Sequence, residues 1–348
     1  MGSGILFSML YGAKEIDKMK VSFFVSFIGV GIISILLEGI CIVAINPILV
    51  FMNIPTDVYQ ITYDYLIIIF IGIFFTFIYN YFASLLRSLG NSKIPLIFLA
   101  IASIINIVLD IFFIVSLNMG VSGAALATLI AQIFSALGIM IYVLVFKKEL
   151  LPQRQHYYFD KEIFKKIKDY SLLTCIQQSV MNFGILLIQG LVNSFGIITM
   201  SAFAAAVKID SFAYMPVQDF GNAFATFIAQ NKGAALESRI KEGLKVAIKA
   251  ATIFCLIISC LVFIFADKLM MIFIDPAKHE IIRQGVEYLQ IEGVCYLGIG
   301  CLFLLYGYYR GIGKPGISVV LTVVSLGTRV LLAYLLAPVF ATTAIWWS

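Results

Sequence analysis

Long apolar runs, separated by short polar stretches, recur from one end of the chain to the other. The runs are continuous, and most exceed the roughly 20 residues a helix needs to cross the hydrocarbon core. They predict helices over about 21–45, 61–86, 96–117, 121–146, 171–194, 203–230, 247–266, 286–309 and 316–337. Met1–Tyr11 reads as half of one more, and Ala344–Ser348 as the opening of another. A membrane β-barrel would instead alternate apolar and polar positions over short segments. The fold class is therefore an all-α polytopic membrane protein.

The polar stretches orient these helices. Nineteen of the 24 Lys and Arg fall in alternate connections, from Lys14, Lys18 and Lys20 through Lys147–Lys168 to Arg310 and Lys314. The intervening connections carry Lys268, Lys278 and Arg283 at most. By the positive-inside rule the basic set is cytoplasmic. The segment Asp160–Tyr170 is basic and amphipathic, which suits a helix lying in the membrane interface and joining two halves.

Two halves are visible as a repeat. Tyr11-Gly12-Ala13 is echoed by Lys232-Gly233-Ala234, and Asn53-Ile54-Pro55 by Ile274-Asp275-Pro276. Tyr65-Leu66 is echoed by Tyr288-Leu289. The run Arg87, Gly90, Lys93, Pro95 is echoed by Arg310, Gly313, Lys314, Pro315. The offset stays between 220 and 223 throughout. Both copies put their basic loops on one side, so the repeat is parallel, as in many secondary transporters. It divides the chain into an N-terminal lobe at 1–148, a linker at 149–168 and a C-terminal lobe at 169–348. It also implies that about one and a half helices before Met1, and most of the last helix, belong to a twelve-helix whole of two six-helix lobes.

Within the first lobe, Asp110 is a lone carboxylate in an apolar run, with Asn106 and Ser103 on the same helix face. An isolated acid at membrane depth is costly and marks a functional site by default. Thr128 follows on the next helix. In the second half, Lys208 and Asp210, near the outer end of a helix, read as a structural pair or as snorkelling, and Gln218 and Asp219 flank a helix break expected at Pro216 and Gly221. Glu38 and Glu292 lie near helix ends and read as solvated or packing acids, and Arg329 as structural. Tyr and Phe are abundant, and most suit a lipid-facing surface.

Composition adds limits. The chain is 61% hydrophobic and 12% charged, and its net charge of +5 resides in loops, so nucleic acid is not implied. Six cysteines all fall in apolar runs without a CxxC pair and read as small buried hydrophobes. No nucleophile–base set, metal motif or paired catalytic acids at helix spacing is present, so the chain does not read as an enzyme.

Several motifs together resemble the bacterial branch of the multidrug and toxic compound extrusion family. They are the Arg87–Pro95 run and its Arg310–Pro315 echo, Asn106-x-x-x-Asp110, Gly120–Thr128, Val207–Pro216 and Gln230-Asn231-Lys232-Gly233-Ala234. The resemblance implies secondary antiport, with organic cations or drugs exported in exchange for H⁺ or Na⁺ as two lobes open alternately to either side. It implies a cation-coupling site at Asp110, Asn106 and Thr128, with Tyr65 as a neighbour, and a substrate cavity near Gln178, Asp210, Gln218 and Asp219. Some family members place acids on the seventh helix. Gln177 and Gln178 stand there instead, which argues against a full second-lobe site. The Arg87 and Arg310 runs are expected to be structural and gating elements. No cofactor beyond the coupling ion is implied. The expected setting is a monomer spanning the plasma membrane, with both ends of the complete protein cytoplasmic. The alternative is a flippase for lipid-linked oligosaccharides, which would want a cavity ringed by Arg or Lys. Only Lys208 and Arg329 lie at interior positions.

Overall fold

A chain segment in lipid must satisfy every backbone N–H and C=O internally, and an apolar run longer than the bilayer core does so as a helix. The computed structural model describes residues 2–52 and 54–347, the side chains of 340, 341 and 344 apart. Its long elements are α1 (Gly2–Gly12), α2 (Ile16–Val43), α3 (Ile45–Phe51), α4 (Thr56–Ser88), α5 (Lys93–Ile111), α6 (Gly120–Phe146), α7 (Lys161–Asn193), α8 (Ile197–Gly233), α9 (Glu237–Met271), α10 (His279–Gly311) and α11 (Pro315–Trp347). Among the described residues, nine helices are long and apolar enough to cross a membrane. Their outer faces carry Ile33, Leu36, Ile104, Val108, Ile264 and Leu335, all exposed. Such a surface fits hydrocarbon and not water. Five of the expected buried cysteines belong wholly or partly to it: only Cys255 is buried, while Cys175, Cys260, Cys295 and Cys301 are exposed and Cys41 is intermediate.

The chain forms two compact units, residues 3–168 and 169–348. The first is centred on rings from α1, α2 and α4. Tyr81 bridges two helices by donating to the Phe23 carbonyl at 2.6 Å, with its hydroxyl 2.8 Å from Ser26 Oγ. Phe7, Phe23, Phe27 and Phe77 pack around it. The second unit is centred on α8 and α10, with α9 and α11 packed on α10. Here Trp346 stacks on Phe203 at 5.7 Å and meets Tyr288 edge-on at 5.0 Å.

The repeat extends to individual backbone angles. Lys14 (φ 59°) and Ala235 (φ 55°) are both left-handed, each two residues past the echoed glycine. Gly90 (φ 82°) and Gly313 (φ 86°) are left-handed at the other basic turn. In each of the latter, the N–H groups return to the last helical turn: Gly90 to Arg87 O and Asn91 to Leu86 O, Gly313 to Arg310 O and Lys314 to Tyr309 O. This is the glycine-dependent helix end that saves two otherwise orphaned carbonyls. Asn53, used in one echo, lies outside the described residues, as does Ser348.

Three expected boundaries fall elsewhere. The amphipathic segment 160–170 is not a separate helix: α7 starts at Lys161 and runs through to Asn193. Its first turns bury Ile163 and Ile167 with Leu6, Val21 and Val25. A helix at an interface and one in lipid share the same period, so the charge change at Tyr170 does not require a break. Residues 344–347 continue α11 past Pro338 rather than opening a new helix. Likewise α8 passes Pro216 without ending. A proline removes one helical bond but need not end a packed membrane helix. Gly221 serves packing instead: a Cβ there would sit 2.6 Å from the Phe303 carbonyl oxygen, and one at Gly307 would strike the Gly221 backbone. Small residues thus let α8 and α10 approach closely.

Between α6 and α7, the segment 147–160 folds onto the first unit. His156 is buried; its Nδ1 accepts the Gln153 N–H at 3.0 Å, and its Nε2 lies 3.1 Å from an Asp17 carboxylate oxygen on α2.

Candidate functional site

In the first unit, α5 carries Asn106 and Asp110 one turn apart, and α6 packs alongside. The Asn106 amide donates to Thr128 Oγ1 at 3.4 Å, and that hydroxyl donates to the Ala124 carbonyl of its own helix at 3.0 Å. Thr128 therefore does both things its position allows: it bonds back along α6 and accepts across to α5. Asp110 is half-buried, and one of its carboxylate oxygens is shielded from solvent with no hydrogen-bond partner among the described residues. A buried acceptor left open costs free energy and calls for a ligand, a proton or a water. Directly after Asp110 the helix widens into a π-turn at Phe112–Ser116, closed by Leu117 N–H to Phe112 O. Such turns concentrate at functional sites. Tyr65 on α4 is half-buried and makes no hydrogen bond to these three among the described residues. Ser103 is exposed and donates to Leu99 O, so it stands apart.

The second unit contains a denser polar centre. Asp210 of α8 and Glu292, Tyr288 and Tyr296 of α10 are 6%, 7%, 2% and 3% exposed. Arg329 of α11 places its Nη1 3.7 Å from a Glu292 carboxylate oxygen. Tyr288 faces the same guanidinium, and Tyr296 faces Asp210. Among the described residues, one Asp210 oxygen and Arg329 Nε are buried without hydrogen-bond partners, and the Tyr296 hydroxyl meets no group but the Asp210 carboxyl it faces. This corrects three readings from the sequence. Glu292 is no solvated acid at a helix end, because α10 begins at His279 and encloses it. Lys208 does not pair with Asp210: two positions along a helix point apart, and its ammonium lies 6.0 Å over the Phe273 ring. A buried acid pair also exists in this lobe, supplied by α8 and α10 rather than by α7. Gln177 instead donates to Thr322 at 3.1 Å.

The remaining candidates are dispersed. Gln178 and Asp219 are exposed, and Gln218 is intermediate. Lys93 and Lys314 are exposed while Pro95 and Pro315 are buried, the same pattern in both copies. Arg87 is intermediate. Arg310 is buried; it donates to the Tyr306 carbonyl and, at 2.9 Å, to Asn222 on α8. It ties two helices together inside the lobe.

Sequence reasoning missed Glu292, Tyr288, Tyr296 and the paired role of Arg329. The signal was present. Glu292 and Arg329 are lone opposite charges in two apolar runs, and neither is tolerable at membrane depth without the other.

A parallel repeat of helical lobes with acids enclosed in each is an arrangement found among membrane transporters. The chain matches the MatE family over residues 1–112 and 173–335. It belongs to that family of multidrug efflux transporters. It is similar to the probable multidrug resistance protein YpnP of Bacillus subtilis, at 31% identity over 78% of this chain and 60% of that protein. It is also similar to the multidrug export protein MepA of Staphylococcus saprophyticus, at 23% identity over 100% of this chain and 76% of that one. Among solved structures, its fold matches the Vibrio cholerae MATE transporter VcmN in the bent form, with TM-score 0.89, 19% identity, and 99% and 79% of the two chains covered. An outward-facing multidrug resistance MATE transporter matches with TM-score 0.93, 21% identity, and 99% and 78% covered. The chain thus spans 60% to 76% of these curated relatives. The family is one of transporters, and these matches do not favour the oligosaccharide flippase.

Proposed function

We propose that the protein exports amphipathic organic cations across the plasma membrane in exchange for H⁺ or Na⁺. The coupling group is Asp110, assisted by Asn106 and Thr128. The observation that carries this reading is the shielded Asp110 oxygen without a partner, beside a neutral Asn–Thr pair, in a helix that crosses the membrane. A group so placed binds a proton or a monovalent cation at the cost of desolvating it, and releases it when the lobe opens. Binding biases two lobe arrangements only through different affinity for each. The names of the relatives supply the substrate class, small drug-like molecules. The protein acts as a monomer, with the basic connections in the cytoplasm.

The test is uptake and release of a fluorescent organic cation by proteoliposomes. Counterflow above empty vesicles, dependent on an imposed pH or Na⁺ gradient, is the expected result. Equilibration at the same rate with and without either gradient would overturn the exchange. Single cysteines at Ser92 and Asn118 check orientation: they should label from opposite sides of the membrane, Ser92 from the cytoplasm.

A further inference from the structure

The polar centre of the second lobe holds two buried acids, Asp210 and Glu292, and one half-buried base, Arg329. The groups facing it are Asp210 from α8, Tyr288, Glu292, Cys295 and Tyr296 from α10, and Arg329 from α11. Lys208, next along α8, points away to Phe273. With both acids ionised the centre carries a net charge of −1, and a guanidinium never gives up its proton. One further positive charge makes it neutral. The open position is a buried Asp210 carboxylate oxygen without a hydrogen-bond partner among the described residues, on the acid that the Tyr296 hydroxyl faces.

These facts choose between a proton and a sodium ion at this centre. A sodium ion needs several oxygen ligands gathered at short range. Here one side of the acid pair is already filled by Arg329, whose five N–H groups donate and cannot ligate a cation. A metal ion between the acids would also stand beside a fixed positive charge in a poorly screened interior. A proton needs only one oxygen. It adds to the open Asp210 oxygen, converts the carboxylate to a carboxyl, and leaves an O–H that the Tyr296 hydroxyl can accept. We infer that Arg329 is a tethered counter-ion that makes the second-lobe acid pair selective for one proton, held at Asp210, and blind to sodium. This rests on the antiport reading for its role in transport but not for its test. Arg329 acts through the acids and is a positioning residue.

The experiment measures ion binding to purified protein in detergent, not efflux. Asp110→Asn serves as background, so that the first lobe does not contribute. Equilibrium binding of radioactive sodium, at constant ionic strength with choline, is expected to be unsaturable in Asp110→Asn. It should become saturable in Asp110→Asn/Arg329→Met and stay absent in Asp110→Asn/Arg329→Lys, which keeps the positive charge. A pH-indicator titration should show uptake of one proton by Asp110→Asn that Asp110→Asn/Asp210→Asn lacks. Saturable sodium binding in the Asp110→Asn protein that Asp210→Asn abolishes would overturn the inference. So would equal proton uptake with and without Asp210. Should Arg329→Met not fold, Asp110→Asn/Arg329→Gln takes its place, and a folded charge-free variant at Arg329 that still lacks saturable sodium binding overturns the inference. Sodium binding that survives both Asp110→Asn and Asp210→Asn faults the Asp110 reading, while the loss of proton uptake still reports on Asp210.

Discussion

The two lobes share a backbone and differ in their charges. At the basic turns the copies agree in detail: left-handed Gly90 and Gly313, left-handed Lys14 and Ala235, buried Pro95 and Pro315. Fifteen residues after Pro95 stands Asp110, and fourteen after Pro315 stands Arg329. Nearly the same place on equivalent helices therefore holds an acid in one lobe and a base in the other. In the first lobe the acid has neutral neighbours and an open oxygen. In the second the base is closed onto Glu292, and the open oxygen has moved to α8 at Asp210. The lesson is that the repeat transmits chain geometry, which turn sterics enforce, while the polar interior of each lobe is free to diverge so long as its charges are answered locally.

This contrast predicts unequal responses to removing a charge. Arg329→Met leaves two buried acids unanswered, and losing one partner of a buried pair costs about 3–5 kcal/mol. The expected outcome is a large fall in the thermal unfolding midpoint in detergent. The double variant Arg329→Met/Glu292→Met should recover most of it. Asp110→Asn, with no charged partner to abandon, should unfold near the parent temperature. If Asp110→Asn destabilised as much as Arg329→Met, the distinction between the lobes would fail.

A smaller effect tests the shared geometry. Gly90→Ala and Gly313→Ala each force a side chain into the left-handed region, at a cost of about 1 kcal/mol. Open space surrounds Gly90, and both glycines hold nearly the same left-handed φ, so backbone strain should act alike and the two losses should match. Unequal losses would show that the turns are not equivalent. Smallest of all are the neutral partners of Asp110. Asn106→Ala should weaken gradient-driven efflux moderately, and Thr128→Ala least, because Thr128 already spends its proton on Ala124. Dye efflux at matched expression orders the two, and the reverse order would contradict the geometry.

Helices and turns were legible in the sequence because lipid leaves a long apolar run no other structure. What was not legible followed from reading residues singly. Glu292 passes for a terminal acid when α10 is taken to start near 286, and only the observed start at His279 places it in the interior. Pro216 looks like a break, and the predicted helix at 316–337 stops just before Pro338, because proline ends helices in water. In these packed helices the chain continues past both. The partnership of Arg329 with Glu292 crosses two helices and 37 positions, beyond any local pattern. Asp110 was legible because its isolation is itself the signal.

The central claim is that the open oxygen of Asp110 couples ion movement to drug movement. Its most direct measurement is efflux of a fluorescent organic cation from proteoliposomes under an imposed pH gradient and, separately, a Na⁺ gradient, comparing the parent with Asp110→Asn. Asparagine keeps the size and hydrogen bonding of the side chain and removes its charge. The account predicts normal reconstitution and efflux reduced to the passive leak under whichever gradient drives the parent. Efflux by Asp110→Asn at the parent rate under both gradients would contradict it.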